Sequence, residues 1–285
     1  MNVTKPTFVI ATLVLTALLI IGTGLKIKKI VSLKKERNMK TIMSILLMTL
    51  IYSSNAQNLS LDEIINRVEK NEKIPSSITQ VDQTIITSKG KSRVLSIQGF
   101  SKNSGDDQFS LYTGPARVKG DKILMLNGGD DIWFYTPRTD RVRHLASNAR
   151  KQKVQGSDFS YQDLEQRDYQ EDFSMELLDS EVITGVDHYI IQAIPTDSGP
   201  DYAKLIFWVN KQNFVVSKVE YYEEQLLSKT LYASNVQKVE DYWIAMKLEM
   251  QNNESGSKTL LETKEIEVNI DLDDSRFSTN YLKRN

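Results

Sequence analysis

After Pro75 the chain reads as short β-rich runs separated by turn signals, and this pattern constrains its fold more than any other feature. The signals stand at Ser88-Lys89-Gly90, Asn103-Ser104-Gly105, Asn127-Gly128-Gly129, Gly185-Val186-Asp187, 210–213 and 252–256. Side chains alternate across a strand, so apolar residues two apart mark one buried face. Phe109/Leu111, Leu205/Phe207/Val209 and Ile244/Met246/Leu248/Met250 do this, the last set against Lys247 and Glu249 on the opposite face. A parallel sheet requires a helical crossover between successive strands. The only helical pattern among these runs covers 160–167, so the sequence predicts a mainly β fold built on a single curved antiparallel sheet. No internal repeat or linker divides the region, and β-rich folds of over 200 residues are commonly one domain.

Such a sheet needs something to cover its apolar face. The segment SLDEIINRVEK supplies a helix: Ser60 and Glu63 have capping-box spacing, and Leu61, Ile64, Ile65 and Val68 recur at helical intervals. Residues 160–167 supply a second, shorter cover. With 40% hydrophobic and 26% charged residues, the 285-residue chain has an ordinary globular balance. Cysteine is absent, which excludes disulfides, thiol catalysis, thiolate metal sites and a cysteine-linked lipid anchor.

Charge is unevenly distributed. Residues 1–56 carry eight Lys or Arg against Glu36 alone, which leaves 28 bases and 36 acids in the body, a net of −8. An acidic body argues against nucleic acid as a partner, because counterion-release binding requires clustered positive charge. Phe8 to Leu25 is uncharged, apolar and long enough for a span of ~1.5 Å per residue, and the basic stretch Lys26 to Arg37 follows it. Met39-Lys40 then opens a second unit: an apolar core from Thr41 to Tyr52 and a small-residue end at Ser54-Asn55-Ala56. Two readings stand. Either Met39 is the start and 39–56 is a signal peptide, with 1–38 an upstream extension, or 8–25 anchors the protein in an inner membrane. Both deliver residues 57–285 to the periplasm.

The stretch from Trp133 to Leu164 is the most specific. An aromatic strand ends in proline and a basic run (Trp133, Tyr135, Pro137, Arg141, Arg143), and GSDFSYQDL follows from Gly156 to Leu164. On these blocks the chain resembles the outer-membrane lipoprotein-sorting (LolA-like) family, in a divergent branch. FWVNKQNFVVSKVEYY (Phe207 to Tyr222) and DSRFSTNYL (Asp274 to Leu282) extend the likeness over about Leu59 to Arg284. The resemblance implies an unclosed, half β-barrel of the LolA/LolB type, with a concave apolar side partly plugged by short helices. It implies a monomeric periplasmic carrier of the acyl chains of a lipoprotein or other lipid, working with an inner-membrane transporter, of the resistance-nodulation-division type in this branch, and an outer-membrane acceptor. The rival reading is a sensor module of the same fold that binds a membrane protein and carries nothing.

Candidate cavity residues are Trp133, Phe134, Tyr135, Phe159, Phe207, Trp208 and Met246. Ile132 and Phe134 fall on one strand face, Trp133 and Tyr135 on the other. Arg138, Arg141, Arg143 and Lys151, beside His144, read either as a rim for an anionic headgroup or acidic partner, or as a strand edge made basic against aggregation. In GSDFSYQDL, Ser157 or Asp158 is placed to cap the short helix, with Phe159 and Leu164 packing it down. Asp158, Tyr161 and Asp163 then belong to a lid, which Arg141 or Arg143 would hold closed by pairing with Asp158 or Asp163. No catalytic residue, cofactor or metal is expected. The chain has two histidines and no GxSxG, P-loop, GxGxxG or HExxH motif, His188 reads as an exposed turn residue, and Asp271, Asp273 and Asp274 lack the glycine and glutamate of a calcium loop.

Overall fold

The structure is a computed structural model that describes residues 59–145 and 149–284. The expectations for the apolar segments 8–25 and 39–56 fall outside the described residues. Among those described, no helix is long and apolar enough to cross a membrane.

Helix α1 (Leu61–Glu72) begins where the capping box places it. The Glu63 amide donates to Ser60 Oγ at 3.3 Å and the Ser60 amide donates to Glu63 Oε2 at 2.9 Å, so two amides without intrahelical partners are satisfied reciprocally. Ile64, Ile65 and Val68 form its buried stripe. Each contributes on the order of 1.5–3 kcal/mol by leaving water.

Thirteen strands follow: β1 (Ser76–Ile86), β2 (Ser92–Lys102), β3 (Asp107–Gly114), β4 (Lys122–Leu126), β5 (Asp131–Thr136), β6 (Arg141–Leu145), β7 (Phe173–Ile183), β8 (Val186–Pro195), β9 (Lys204–Asn210), β10 (Val216–Glu223), β11 (Leu226–Val239), β12 (Tyr242–Asn252) and β13 (Lys258–Val268). They form one sheet in the order β6-β5-β4-β3-β2-β1-β13-β12-β11-β10-β9-β8-β7. The first and last strands meet mid-sheet, antiparallel from Ser77 opposite Val268 to Ile86 opposite Lys258. The sheet is mainly antiparallel hairpin ladder and does not close, because β6 and β7 remain as edges. Arg141 and Arg143 on one edge, and Glu176, Asp179 and Glu181 on the other, discourage pairing with another chain. Between β7 and β8, Thr184 (φ 49°) and Gly185 (φ 82°) both take the left-handed conformation that a tight two-residue hairpin requires.

Every strand connection but one joins neighbours in the sheet. The exception, the crossover from β6 to β7, must pass from one edge to the other. It runs over the face that also carries α1, called here the inner face. Two apolar clusters lie beneath these covers. One joins Ile64, Ile65 and Val68 to Phe159, Phe173, Phe207, Val219 and Met250; the other joins Leu95, Tyr112, Ile123 and Ile132 to Val154 and Tyr161 of the crossover. The outer face of the β1–β5 half is covered by the C-terminal segment, whose Phe277 and Leu282 pack on Phe100, Phe109, Leu124 and Tyr135. Buried Lys122 holds that segment by donating to the Leu282 carbonyl at 2.9 Å and to the Arg284 carbonyl.

Two local expectations are corrected. Residues 160–167 contain only a single 3-10 turn, Tyr161–Asp163, capped by Ser160 rather than by Ser157 or Asp158. His188 is not an exposed turn residue: it is 4% exposed, with Nδ1 2.9 Å from the Val186 carbonyl and Nε2 3.1 Å from Ser217 Oγ.

Candidate functional site

The crossover is tied to the sheet by buried polar contacts. Asp163 is the main knot. Its carboxylate accepts from the Ser160 amide (2.6 Å) and hydroxyl (2.7 Å), from the Tyr202 hydroxyl (2.6 Å), and from Lys229 Nζ of β11 (2.6 Å). The Asp163 and Lys229 side chains are 1% and 8% exposed, so the pair sits largely out of water. Burial first, then the Asp163 charge and its hydrogen bond, push the Tyr202 hydroxyl well up from its usual range.

Asp158 makes the second knot. It accepts from Ser257 Oγ at 2.6 Å, from Thr259 Oγ1 at 2.9 Å and from Lys153 Nζ at 3.1 Å, and its amide donates to Thr259 Oγ1 at 2.9 Å. The expected pairing of Asp158 or Asp163 with Arg141 or Arg143 is therefore not formed: each carboxylate is satisfied by partners on its own segment and on the facing strands. A third knot surrounds Glu165, which accepts from Arg150 (Nε at 2.5 Å) and from Arg167 Nη2 at 2.7 Å. Gly129 lies directly beneath it, and a Cβ there would stand 2.3 Å from Glu165 Cγ. Only glycine lets the sheet rim and the crossover approach so closely.

With the crossover held above the sheet, the space beneath it is not completely filled. A cleft of about 430 Å³ lies between the end of α1, the crossover and strands β9–β12. Its wall is mostly apolar, with Phe173, Leu205, Phe207, Val219, Leu231 and Leu248 among its residues. This volume falls within the range of small-molecule sites. Polar groups also border it, among them Glu72, Tyr169, Tyr202 and Tyr221, and the crossover residues Asp163, Glu165 and Arg167. The Tyr169 hydroxyl donates to Glu72 Oε1 at 3.2 Å. Glu72 is exposed at the edge of the cleft, yet the protein packed around its carboxyl desolvates it and pushes it up to about 7, with the Tyr169 hydrogen bond opposing. A smaller cavity of about 170 Å³ lies under the other half of the crossover, lined by Val81, Ile97, Ile123, Met125, Phe159 and Leu261.

The candidate residues are scattered over the fold and do not gather at one site. Phe207 lines the larger cleft and Phe159 the smaller. Phe134 is on the inner face, at a third, basic pocket with Arg141 and Arg143. Tyr161 is in the crossover, buried against the inner-face cluster. Trp133 and Tyr135 are on the outer face, packed with Phe277 and Leu282. Trp208 is also on the outer face, where its indole N–H donates to Glu181 at 2.8 Å and Lys218 Nζ lies 4.0 Å from its ring. Met246 is buried in β12 and lines none of these cavities. Sequence reasoning missed Tyr202, Tyr221, Glu72 and Lys229. Tyr202 and Lys229 lie 39 and 66 positions from the Asp163 they contact, a separation with no local signature.

A family model with the description "-like: Uncharacterized protein" matches residues 104–284. No curated protein matches the chain. Solved structures do. A domain described as an outer membrane lipoprotein-sorting protein, from Vibrio parahaemolyticus, is 28% identical, with a TM-score of 0.73 over 78% of this chain and 97% of that one. A DUF1329 family protein from Desulfovibrio piger is 23% identical, with a TM-score of 0.71 over 77% of this chain and 96% of that one. A LolA superfamily protein from Nitrosomonas europaea is 22% identical, with a TM-score of 0.66 over 78% and 99%.

Proposed function

Since the chain belongs to the family whose model spans residues 104–284 and has the LolA-like fold, we propose that it is a periplasmic binder that shields the acyl chains of a lipoprotein or another lipid in transit to the outer membrane. The observation that carries this reading is the apolar cleft of about 430 Å³ beneath the crossover. An open sheet alone would offer a wet surface. Covering one face with α1 and the crossover makes a site that can exclude water from a chain. At ~25 cal/mol per Å² of apolar area, several hundred Å² of acyl chain gains on the order of 10 kcal/mol gross on burial, and immobilising the cargo offsets part of this. The mechanism is binding and release rather than catalysis. Delivery by the segment 39–56, a donor in the inner membrane and an acceptor in the outer membrane are the remaining parts of the same proposal.

The test is to express the chain in a Gram-negative periplasm, purify it without detergent, and combine native mass spectrometry with lipid extraction. A bound acylated species of unchanged mass is expected. Binding of a fluorescent fatty-acyl probe should fall at least tenfold when Ala233→Trp fills the cleft. A protein that is empty on purification and fails to bind the probe would instead favour the module that senses or binds a membrane protein.

A further inference from the structure

The inner face ends, at the β6 side, in a pocket of about 460 Å³ whose chemistry differs from that of the cleft. Five arginines line it: Arg93 of β2, Arg117 of the loop after β3, Arg138 of the β5–β6 turn, and Arg141 and Arg143 of β6. Asp121 is the one carboxylate in the lining, and its Oδ2 accepts from Gln155 Nε2 at 3.1 Å. Among the described residues no carboxylate lies within ion-pair distance of any of the five guanidinium groups. Five positive charges thus converge in a body whose net charge is −8. Edge protection accounts for Arg141 and Arg143, which sit on an unpaired strand. It does not account for Arg93, which lies in an interior strand and donates to the Gln155 carbonyl at 2.7 Å, or for Arg117 in a loop.

We infer that this pocket binds the phosphate group of an anionic amphiphile. Guanidinium presents paired donors that match the oxygens of a phosphate, and five of them without counter-ions supply the charge. The floor supplies the rest. Leu95 belongs to the inner-face apolar cluster, Phe134 and Val118 pack against it, and Arg143 lies 5.3 Å from the Phe134 ring. Ile123 and Met125 of that cluster also line the 170 Å³ cavity. A phosphate in the arginine pocket therefore stands beside the apolar cluster that also borders the cavity under the crossover, a neighbourhood that suits a phospholipid-type headgroup with its chain against that cluster. This assignment deepens the acyl-binding reading by giving the cargo a charged headgroup.

The experiment is calorimetric titration of the purified full chain with inorganic phosphate, dihexanoylphosphatidylglycerol and dihexanoylphosphatidylcholine, each lipid below its micelle concentration. Phosphatidylglycerol is expected to bind at least tenfold more tightly than phosphatidylcholine, and added salt should erode that preference. The double variant Arg141→Gln/Arg143→Gln, and independently Arg117→Gln, should reduce it at least fivefold without lowering the melting temperature. These side chains are exposed and carry no ion pair in the structure. Inorganic phosphate binding as tightly as phosphatidylglycerol, with the same loss in the variants, would support the oxyanion site and overturn its assignment to a lipid. Equal affinity for the two lipids, or a preference unchanged in both variants, would overturn the inference. Failure of the acyl-binding reading appears differently: the fatty-acyl probe and phosphatidylcholine would not bind at all, whatever phosphate does.

Discussion

At the scale of single residues, the buried Asp163–Lys229 pair is where the structure is most exposed to damage. Replacing Lys229 by Met leaves the Asp163 carboxylate in a largely water-free position with only the Ser160 and Tyr202 groups beside it. Breaking such a pair from one side costs about 3–5 kcal/mol. Urea unfolding of Lys229→Met should show that loss, and a change under about 1 kcal/mol would contradict the burial argument. Glu72 behaves in the opposite sense. Its carboxyl is raised from 4.5 to about 7 in the folded protein, so the folded state binds a proton that the unfolded chain has already released between those values. The stabilisation is complete below about 4.5 and is lost as pH rises through about 7. Glu72→Gln should flatten the melting temperature across that window relative to the parent protein. An unchanged slope would show that Glu72 does not titrate there.

At the scale of elements, the crossover acts as a fixed strap. Its polar contacts fasten it to β11 through Lys229, to β13 through Thr259, and to its own flanks through Glu165. A cargo entering beneath it must therefore use the openings beside the knots, or break one of them. Thr259 is fully buried and both donates to the Asp158 carboxylate and accepts from the Asp158 amide. Thr259→Val keeps the shape and removes both bonds, leaving a buried amide and carboxylate oxygen short of partners. A cost of about 1.5–3 kcal/mol is expected. Hydrogen exchange of 156–164 should accelerate more than that of α1. Uniform acceleration across the protein would mean that the strap opens only with global unfolding. The cap of α1 is a smaller, local term: Ser60→Ala should cost about 1 kcal/mol in the same urea assay.

At the scale of the whole molecule, the organisation is set by the pairing of β1 with β13, whose residues are joined only after nearly the entire domain has been traversed. Sheets dominated by such distant pairings fold slowly, in milliseconds to seconds or longer, because loop closure precedes the contacts that reward it. Stopped-flow refolding should reflect this, and a chain ending before Lys258 should lose cooperative unfolding altogether, since β1 and β12 would each gain an open edge in the middle of the sheet. A truncated chain that still unfolds in one sharp transition would show that the two halves are independently stable. The same topology produces the sites. With eleven of the twelve strand connections joining sheet neighbours and β1 paired with β13 at mid-sheet, the β6-to-β7 segment is left to span the inner face and roof the cleft.

The sequence by itself determined the α1 cap and stripe, the β-rich turn-punctuated body and its antiparallel character, because capping, side-chain alternation and turn chemistry act over a few residues. It also placed Phe134 and Phe207 on strands, each with the alternation the sheet shows. Only the tertiary structure decided which face each strand turns inward, and so put Trp133, Tyr135 and Trp208 on the outer side. It also decided that Asp163 meets Lys229 and Tyr202 rather than an arginine, and that Arg93 and Arg117 join Arg141 and Arg143 in one pocket. These outcomes follow from sheet order and from the path of one crossover. They are set by burial and pairing across the whole fold, and no local spacing of residues encodes them.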